Sequence, residues 1–427
     1  MNAIKRKSKI NKISIKQWVL IMSVLLFLAL EARTYISYYK VNVVEQILIL
    51  CAVLVVICFI KKHMKINKLQ YVVALTFCIF LLSNKLFTGD SSAFSMVLMV
   101  LVAIAFVFTQ LLSFDEFVNY YTKAMVILCL YSVICTYTVI AFNDFFSAIL
   151  PSFVHIGKNM NFIDAGLCFI HSPIYGVDYR NYSVFTEPGV YQFYINLAMI
   201  LDIWCSKVDK YKYIRMLIYI VTLITTFSTT GMIVGLMIIC AYLIQKRDVN
   251  NRKRNLKGPI IITILIAVGC YYIMPDFNIL INHSTAKLAG GGSYSSRTGS
   301  LLAYLFAWLE KPIIGWGYTA GTTEVAQLYL FQYTEHNTNT IFSNFAFFGL
   351  LYGALYLILF SKFYFDIHAP IMTRIILFVA MLMCINNERF IDSTIVFIIL
   401  FYSVLRRNHK EKLNEPKRND KIHRVLR

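Results

Sequence analysis

Long apolar runs recur along this whole chain, and they constrain it more than any motif does. The breaks between them give twelve candidate spans, near 17–36, 42–60, 69–87, 93–112, 121–142, 189–205, 214–228, 230–245, 259–275, 339–360, 371–386 and 392–405. A helix that crosses a bilayer needs about 20 predominantly apolar residues. Apolar residues make up 58% of the 427, and charged residues only 15%, against roughly 25% in a soluble protein. No water-soluble core of this length hides so much apolar surface. The expected fold is an all-α polytopic membrane protein with about 12 transmembrane helices. Soluble enzymes, fibrous proteins and disordered chains are excluded.

The net charge of +19 would suggest nucleic acid in a soluble protein. In a membrane protein it reads as topology, because positively charged loops stay in the cytoplasm. With both termini inside, 32 of the 41 Lys and Arg fall in cytoplasmic segments and 9 on the other side. The excess thus follows the positive-inside rule, and no nucleic-acid partner is expected. Runs such as Arg252-Lys253-Arg254 are topology signals. The first apolar run follows six basic residues without a small-residue cleavage site, so it reads as a retained span that directs insertion. Residues 1–405 form one integral membrane domain, and 406–427 a basic cytoplasmic tail. The seventh and eighth spans are short, and Ser228-Thr229-Thr230-Gly231 is expected to be the turn that joins them.

Two segments break the rule of short connections. Residues 143–188 and 276–338 are both expected on the extracytoplasmic side, and loops of more than about 12–15 residues are uncommon unless functional or disordered. Their composition, aromatic and poor in charge, is not that of disorder. Within the second, 301–309 reads as a short interfacial helix ending before Pro312. Of the ten cysteines, only Cys168 lies deep in a polar loop, and no CxxC occurs. These thiols read as small buried apolar groups rather than a disulfide framework.

The residues able to carry chemistry gather where those two loops meet the spans. In 178–199, Pro188 suits the first turn of a helix and puts Glu187 at its positive end. Glu187 then reads as a cap with Arg180 as counter-ion, or as a functional carboxylate. In 293–321, Arg297 offers the planar fork of donors that fits a phosphate. Near the close of the second loop, His336 stands a few residues before the tenth span and can exchange a proton near neutral pH. The neighbouring Glu335-His336-Asn337 is not HExxH, and neither a metal-ligand spacing nor a nucleotide loop occurs. No metal and no cofactor are expected. The spans themselves hold no convincing midplane carboxylate of the kind a coupled carrier shows, and no pair of glycine-broken segments in matching halves.

Taken in order, an arginine and then Glu-Pro open a span after the first long loop. A second loop carries an arginine, a Trp-containing helix and Pro312-Ile313-Ile314-Gly315-Trp316-Gly317. His336-Asn337 follows, just before a glycine-rich span. This arrangement resembles the O-antigen polymerase and O-antigen ligase superfamily over roughly residues 120–405. The resemblance implies a metal-independent glycosyltransferase of surface polysaccharide synthesis, with its active site on the extracytoplasmic face of the cytoplasmic membrane. Its donor and acceptor would be lipid-linked oligosaccharides on undecaprenyl pyrophosphate, and a chain-length regulator would be a further partner. Arg180 and Arg297 would bind pyrophosphate. His336 would be the first candidate for general base and Glu187 the second.

Glu-Pro in the first loop favours a polymerase of repeat units. Ligase-type transferases often carry more basic residues in the second loop, where this chain has Lys287, Arg297 and Lys311. A lipid-linked oligosaccharide flippase is the alternative of another class, but it would be expected to have short loops on both sides.

Overall fold

The computed structural model describes residues 14–62, 64–155, 160–171, 180–206, 211–249, 292–325, 328 and 338–405. The chain is mostly helical. A helix stands at eleven of the twelve expected spans, and the remaining one, 259–275, lies outside the described residues. Among the described residues, five helices are long and apolar enough to cross a membrane: Val43–Lys61, Lys68–Thr88, Phe94–Leu111, Phe114–Ala141 and Thr340–Phe365.

Local chemistry sets where these helices begin. Ser14 with Gln17, Asn42 with Glu45, and Ser113 with Glu116 form reciprocal capping boxes, which satisfy amides that have no intrahelical partner. Pro188 opens Pro188–Ile200, and Pro370 precedes Ile371–Asn386. The fifth helix starts seven residues before its apolar run, because Ser113 and Glu116 cap a polar first turn. The seventh and eighth meet earlier than expected, at 226–228. Thr229, Thr230 and Gly231 already belong to Thr229–Val249.

Packing separates a sheath from a centre. All thirteen residues of Pro188–Ile200 are buried, as are Thr394 to Val404 of Thr394–Leu405. Around them, Val43–Lys61 and Lys68–Thr88 leave Leu48, Val55, Phe59, Val72, Ile79 and Leu86 exposed. Apolar faces of this extent are not left to water by a soluble monomer; they are the faces a bilayer covers. The centre is held by aromatic packing, with Phe185 stacked on Tyr194 at 4.6 Å and Phe193 against Phe390 at 4.5 Å.

One part of the first long segment departs from the helical expectation. After the short helix Asn143–Ile149, the chain forms a three-stranded antiparallel sheet from Ser152–His155, Met160–Asp164 and Phe169–His171. Its register pairs Ser152 with Ile163 and Phe162 with His171. The sheet is anchored by an ion pair from Lys40 to Asp164 and by Tyr35, whose ring packs on Phe162 and Phe169. In the second segment, the expected 301–309 helix is longer, Gly292–Glu310, and Tyr318–Val325 follows it.

A break in regularity lies inside Thr340–Phe365. Gly349 has φ 81° and ψ −179°, so the helix stops and restarts there. The segment 312–317 lies in the gap. Trp316 and Gly317 donate their amides to the carbonyls of Ala346 and Phe347, both at 2.9 Å, and Leu350 donates to Pro312 at 2.8 Å. The Asn84 side-chain amide donates to the carbonyls of Ile314 and Phe347. Every one of these groups would otherwise be orphaned in an apolar setting, where each costs several kcal/mol. This is one glycine-broken helix, not a pair of broken segments in matching halves.

Candidate functional site

Polar contacts between segments collect at the two ends of the bundle. At one end Lys61 pairs with Glu116, and Arg215 grips Asp202 with two bonds of 2.8 and 2.7 Å. At the other end lie Arg33, Asp90, Glu187, Glu388 and Arg389. They come from segments far apart in sequence, all of them segments that the charge count puts on one side.

The turn at 386–390 is the hub of that second end. Asn386 accepts from the Ile341 amide, and Asn387 accepts from the Thr230 hydroxyl. Thr340 donates its hydroxyl to the Glu388 carbonyl and accepts from the Phe390 amide, both at 2.8 Å. These four bonds tie the turn to the starts of two helices. Glu388, 5% exposed, then reaches over the first turn of Pro188–Ile200. A Cβ at Gly189 would meet its carboxylate, which would have to swing aside, so glycine here lets it lie against the helix start. A carboxylate over a helix N-terminus is favoured by the dipole and the free amides.

Arg33 closes the cluster. Its guanidinium lies 3.6 Å from Glu388 and 3.9 Å from Glu187, and its charge is therefore shared between two carboxylates. Glu187 is the residue just before the helix, but its side chain makes no capping bond. The ion partner found for it here is Arg33, and the expected counter-ion lies elsewhere. Arg180 donates Nε to the carbonyl of Thr226 at 3.2 Å, and has no carboxylate partner among the described residues. The backbone beside these contacts is strained. Ser183, Phe227 and Asn339 are non-glycine residues with φ of 51°, 49° and 84°, and such outliers cluster where surrounding structure over-determines them.

Arg297 lies within Gly292–Glu310, one turn before Ser300. Ser300 accepts the amide of Thr338 at 3.3 Å, which brings this helix to the chain just after position 336. His336 itself lies outside the described residues. So the helix that carries Arg297 meets the 338–340 segment, which in turn meets Glu388, which meets Gly189 beside Glu187. Arg180 joins through Thr226, four residues from the Thr230 that holds Asn387. The buried side-chain atoms left unpaired among the described residues include Thr229 Oγ1, Asn387 Nδ2 and Thr338 Oγ1, all near this hub.

Sequence reasoning missed the roles of Arg33, Glu388, Arg389 and Asp90. Scarcity on their side was the one available signal for the arginines. Asp90 caps a distant helix: it accepts from the Tyr318 amide at 3.0 Å, from the Thr319 hydroxyl and from Ser92. Burial opposes its charge, but these donors outweigh that and hold its pKa below the usual value. At Arg389 burial likewise opposes the charge, and Tyr318 with Asp392 more than offsets it, raising the guanidinium above its ordinary pKa.

No protein-family model, curated protein or solved structure matches this chain.

Proposed function

We propose that the protein is a membrane polysaccharide polymerase. It joins lipid-linked oligosaccharide repeat units, carried on undecaprenyl pyrophosphate, at the outer face of the cytoplasmic membrane. The observation that carries this reading is the cluster of Arg33, Glu187, Glu388 and Arg389 at one end of a helical bundle, reached from the first long segment by Glu187 and from the second by Tyr318. A lipid-borne sugar substrate needs such a place, reachable from the bilayer and from water together. Arg180 and Arg297 bind the donor pyrophosphate, whose leaving charge needs fixed cations. His336 takes the proton of the acceptor hydroxyl, with Glu187 the alternative base. A single displacement inverts the anomeric carbon. No metal or cofactor enters the scheme. Twelve spans, both termini inside and a tail at 406–427 complete the topology, with a chain-length regulator as partner.

The reading is tested by a deletion strain. Single lipid-linked repeat units are expected to accumulate on the outer leaflet, with no polymer. Accumulation on the inner leaflet would identify a flippase, and normal polymer left unattached to its final acceptor would identify a ligase-type transferase.

The topology has its own test. Single cysteines placed at Ser152 and Ser293 are expected to react with an impermeant thiol reagent in intact cells, while one at Asn250 reacts only after permeabilisation. Labelling at Asn250 in intact cells contradicts the assigned sides.

A further inference from the structure

Arg389 is held firmly in the hub while most of its donors are left without a partner. Its backbone is fixed by the Thr340 bonds on either side and by Arg33, whose Nη1 donates to the Arg389 carbonyl at 3.5 Å. Its guanidinium lies over the rings of Tyr318 at 5.3 Å and Phe347 at 5.7 Å, and Nη2 donates to the Tyr318 hydroxyl at 3.0 Å. Guanidinium has five N–H donors. Among the described residues, only that one bond uses them, and no carboxylate lies within ion-pair distance, Asp392 acting on the charge from further off. Ring faces attract the cation but leave the donors unmet. The charge itself is supported by Tyr318 and Asp392, so what an anion would add is partners for the remaining donors.

The support for Arg389 is deeper than a surface residue needs. Tyr318 stacks on Phe94 at 3.6 Å, and its amide is held by Asp90. Lys85 donates to the carbonyls of Asp90 and Ser92 and so holds that loop. Tyr304 packs edge-on against the same Phe347 at 5.4 Å, and Arg297 lies two turns before Tyr304 on its helix. The neighbouring arginine is already committed, because Arg33 faces two carboxylates.

We propose that Arg389, oriented by Tyr318, binds a phosphate-class anion, and that this anion is the pyrophosphate of the lipid-linked donor. The identity of the anion rests on the polymerase reading. The existence of the anion site does not. Because phosphate oxygens could also come from an anionic lipid headgroup, the two sources must be separated.

The full-length protein is placed in phosphatidylcholine nanodiscs and titrated with undecaprenyl pyrophosphate, with inorganic pyrophosphate and, in separate discs, with phosphatidylglycerol. Arg389→Gln is expected to weaken undecaprenyl pyrophosphate by about 10–100-fold, the range of a lost charge-assisted contact. Arg389→Lys recovers part of it, since charge returns without the planar fork. Tyr318→Phe keeps the ring stack and removes one bond to Arg389. It is expected to weaken binding severalfold, and to do nothing further in an Arg389→Gln background. Equal affinity in wild type, Arg389→Gln and Tyr318→Phe overturns the site. Loss of phosphatidylglycerol with pyrophosphate affinity unchanged overturns the donor as the occupant. These measurements need no polymer. An intact affinity difference in a protein that makes no polymer leaves the anion site standing while the polymerase reading falls.

Discussion

Alanine at position 349 is expected to collapse the end of the bundle that carries Glu388. The φ of 81° at Gly349 lies in the left-handed region, and a Cβ there would come within 2.6 Å of the Ile313 and Ile314 carbonyl carbons. Both neighbours are backbone, so neither swings away. The strained backbone costs about 1–3 kcal/mol and the overpacking a similar amount. Relief by straightening the helix would also free Ala346, Phe347 and Pro312 from their partners in the gap. Together these are a large share of the 5–15 kcal/mol by which proteins are ordinarily stable. In detergent, Gly349→Ala should lower the unfolding midpoint by many degrees and cut the folded yield. Leu351→Ala, on the exposed face of the same helix, should leave both nearly unchanged. Equal midpoints for the two variants would show that the break at 349 carries no strain.

The second large effect is expected at His336. In the proposed mechanism its neutral imidazole accepts the proton of the attacking sugar hydroxyl. General-base help is worth typically 10²–10⁴-fold in rate. His336→Gln retains shape and polarity without the base. It should insert normally, bind the lipid-linked donor, and make almost no polymer in an assay with purified lipid-linked repeats. The base works only when unprotonated, so activity should fall as pH drops through a value near the ordinary histidine pKa of about 6.5. That acid limb should be absent from whatever activity the variant keeps. Full polymer length from His336→Gln would remove the assignment and move the base to Glu187. The inactive variant should then be Glu187→Gln, and Arg33, which lies between Glu187 and Glu388, would become the residue that positions it.

The spans were legible because burial in lipid requires continuous apolar sequence. Val43–Lys61 and Lys68–Thr88 match their apolar runs within a residue or so. The break at Gly349 was not legible, since Phe347-Phe348-Gly349-Leu350 reads as one apolar stretch. What breaks it is the 312–317 segment, more than thirty residues away. The sheet at 152–171 was hidden for another reason. Its strands are three to five residues long, too short for an alternating pattern to stand out. At the site, Glu187 could be placed on a helix start from Pro188 alone. Its contact with Arg33 spans more than 150 residues, and nothing local encodes it. Glu388 and Arg389 were visible as charges in a short connection. That Thr340 would clamp their turn, and Gly189 would make room for a carboxylate, depends on tertiary packing.

Helix lengths give this architecture a relief. Ile371–Asn386 has 16 residues and Phe114–Ala141 has 28. At 1.5 Å per residue these rise about 24 and 42 Å. The shorter one falls below the roughly 30 Å of a hydrocarbon core. Lipids against its exposed Met372, Ile375, Val379 and Met383 would have to thin or tilt to meet it. A bilayer thinned on that side would carry its headgroups toward the 386–390 turn, and a phosphate on a lipid tail would have less far to climb to be met there.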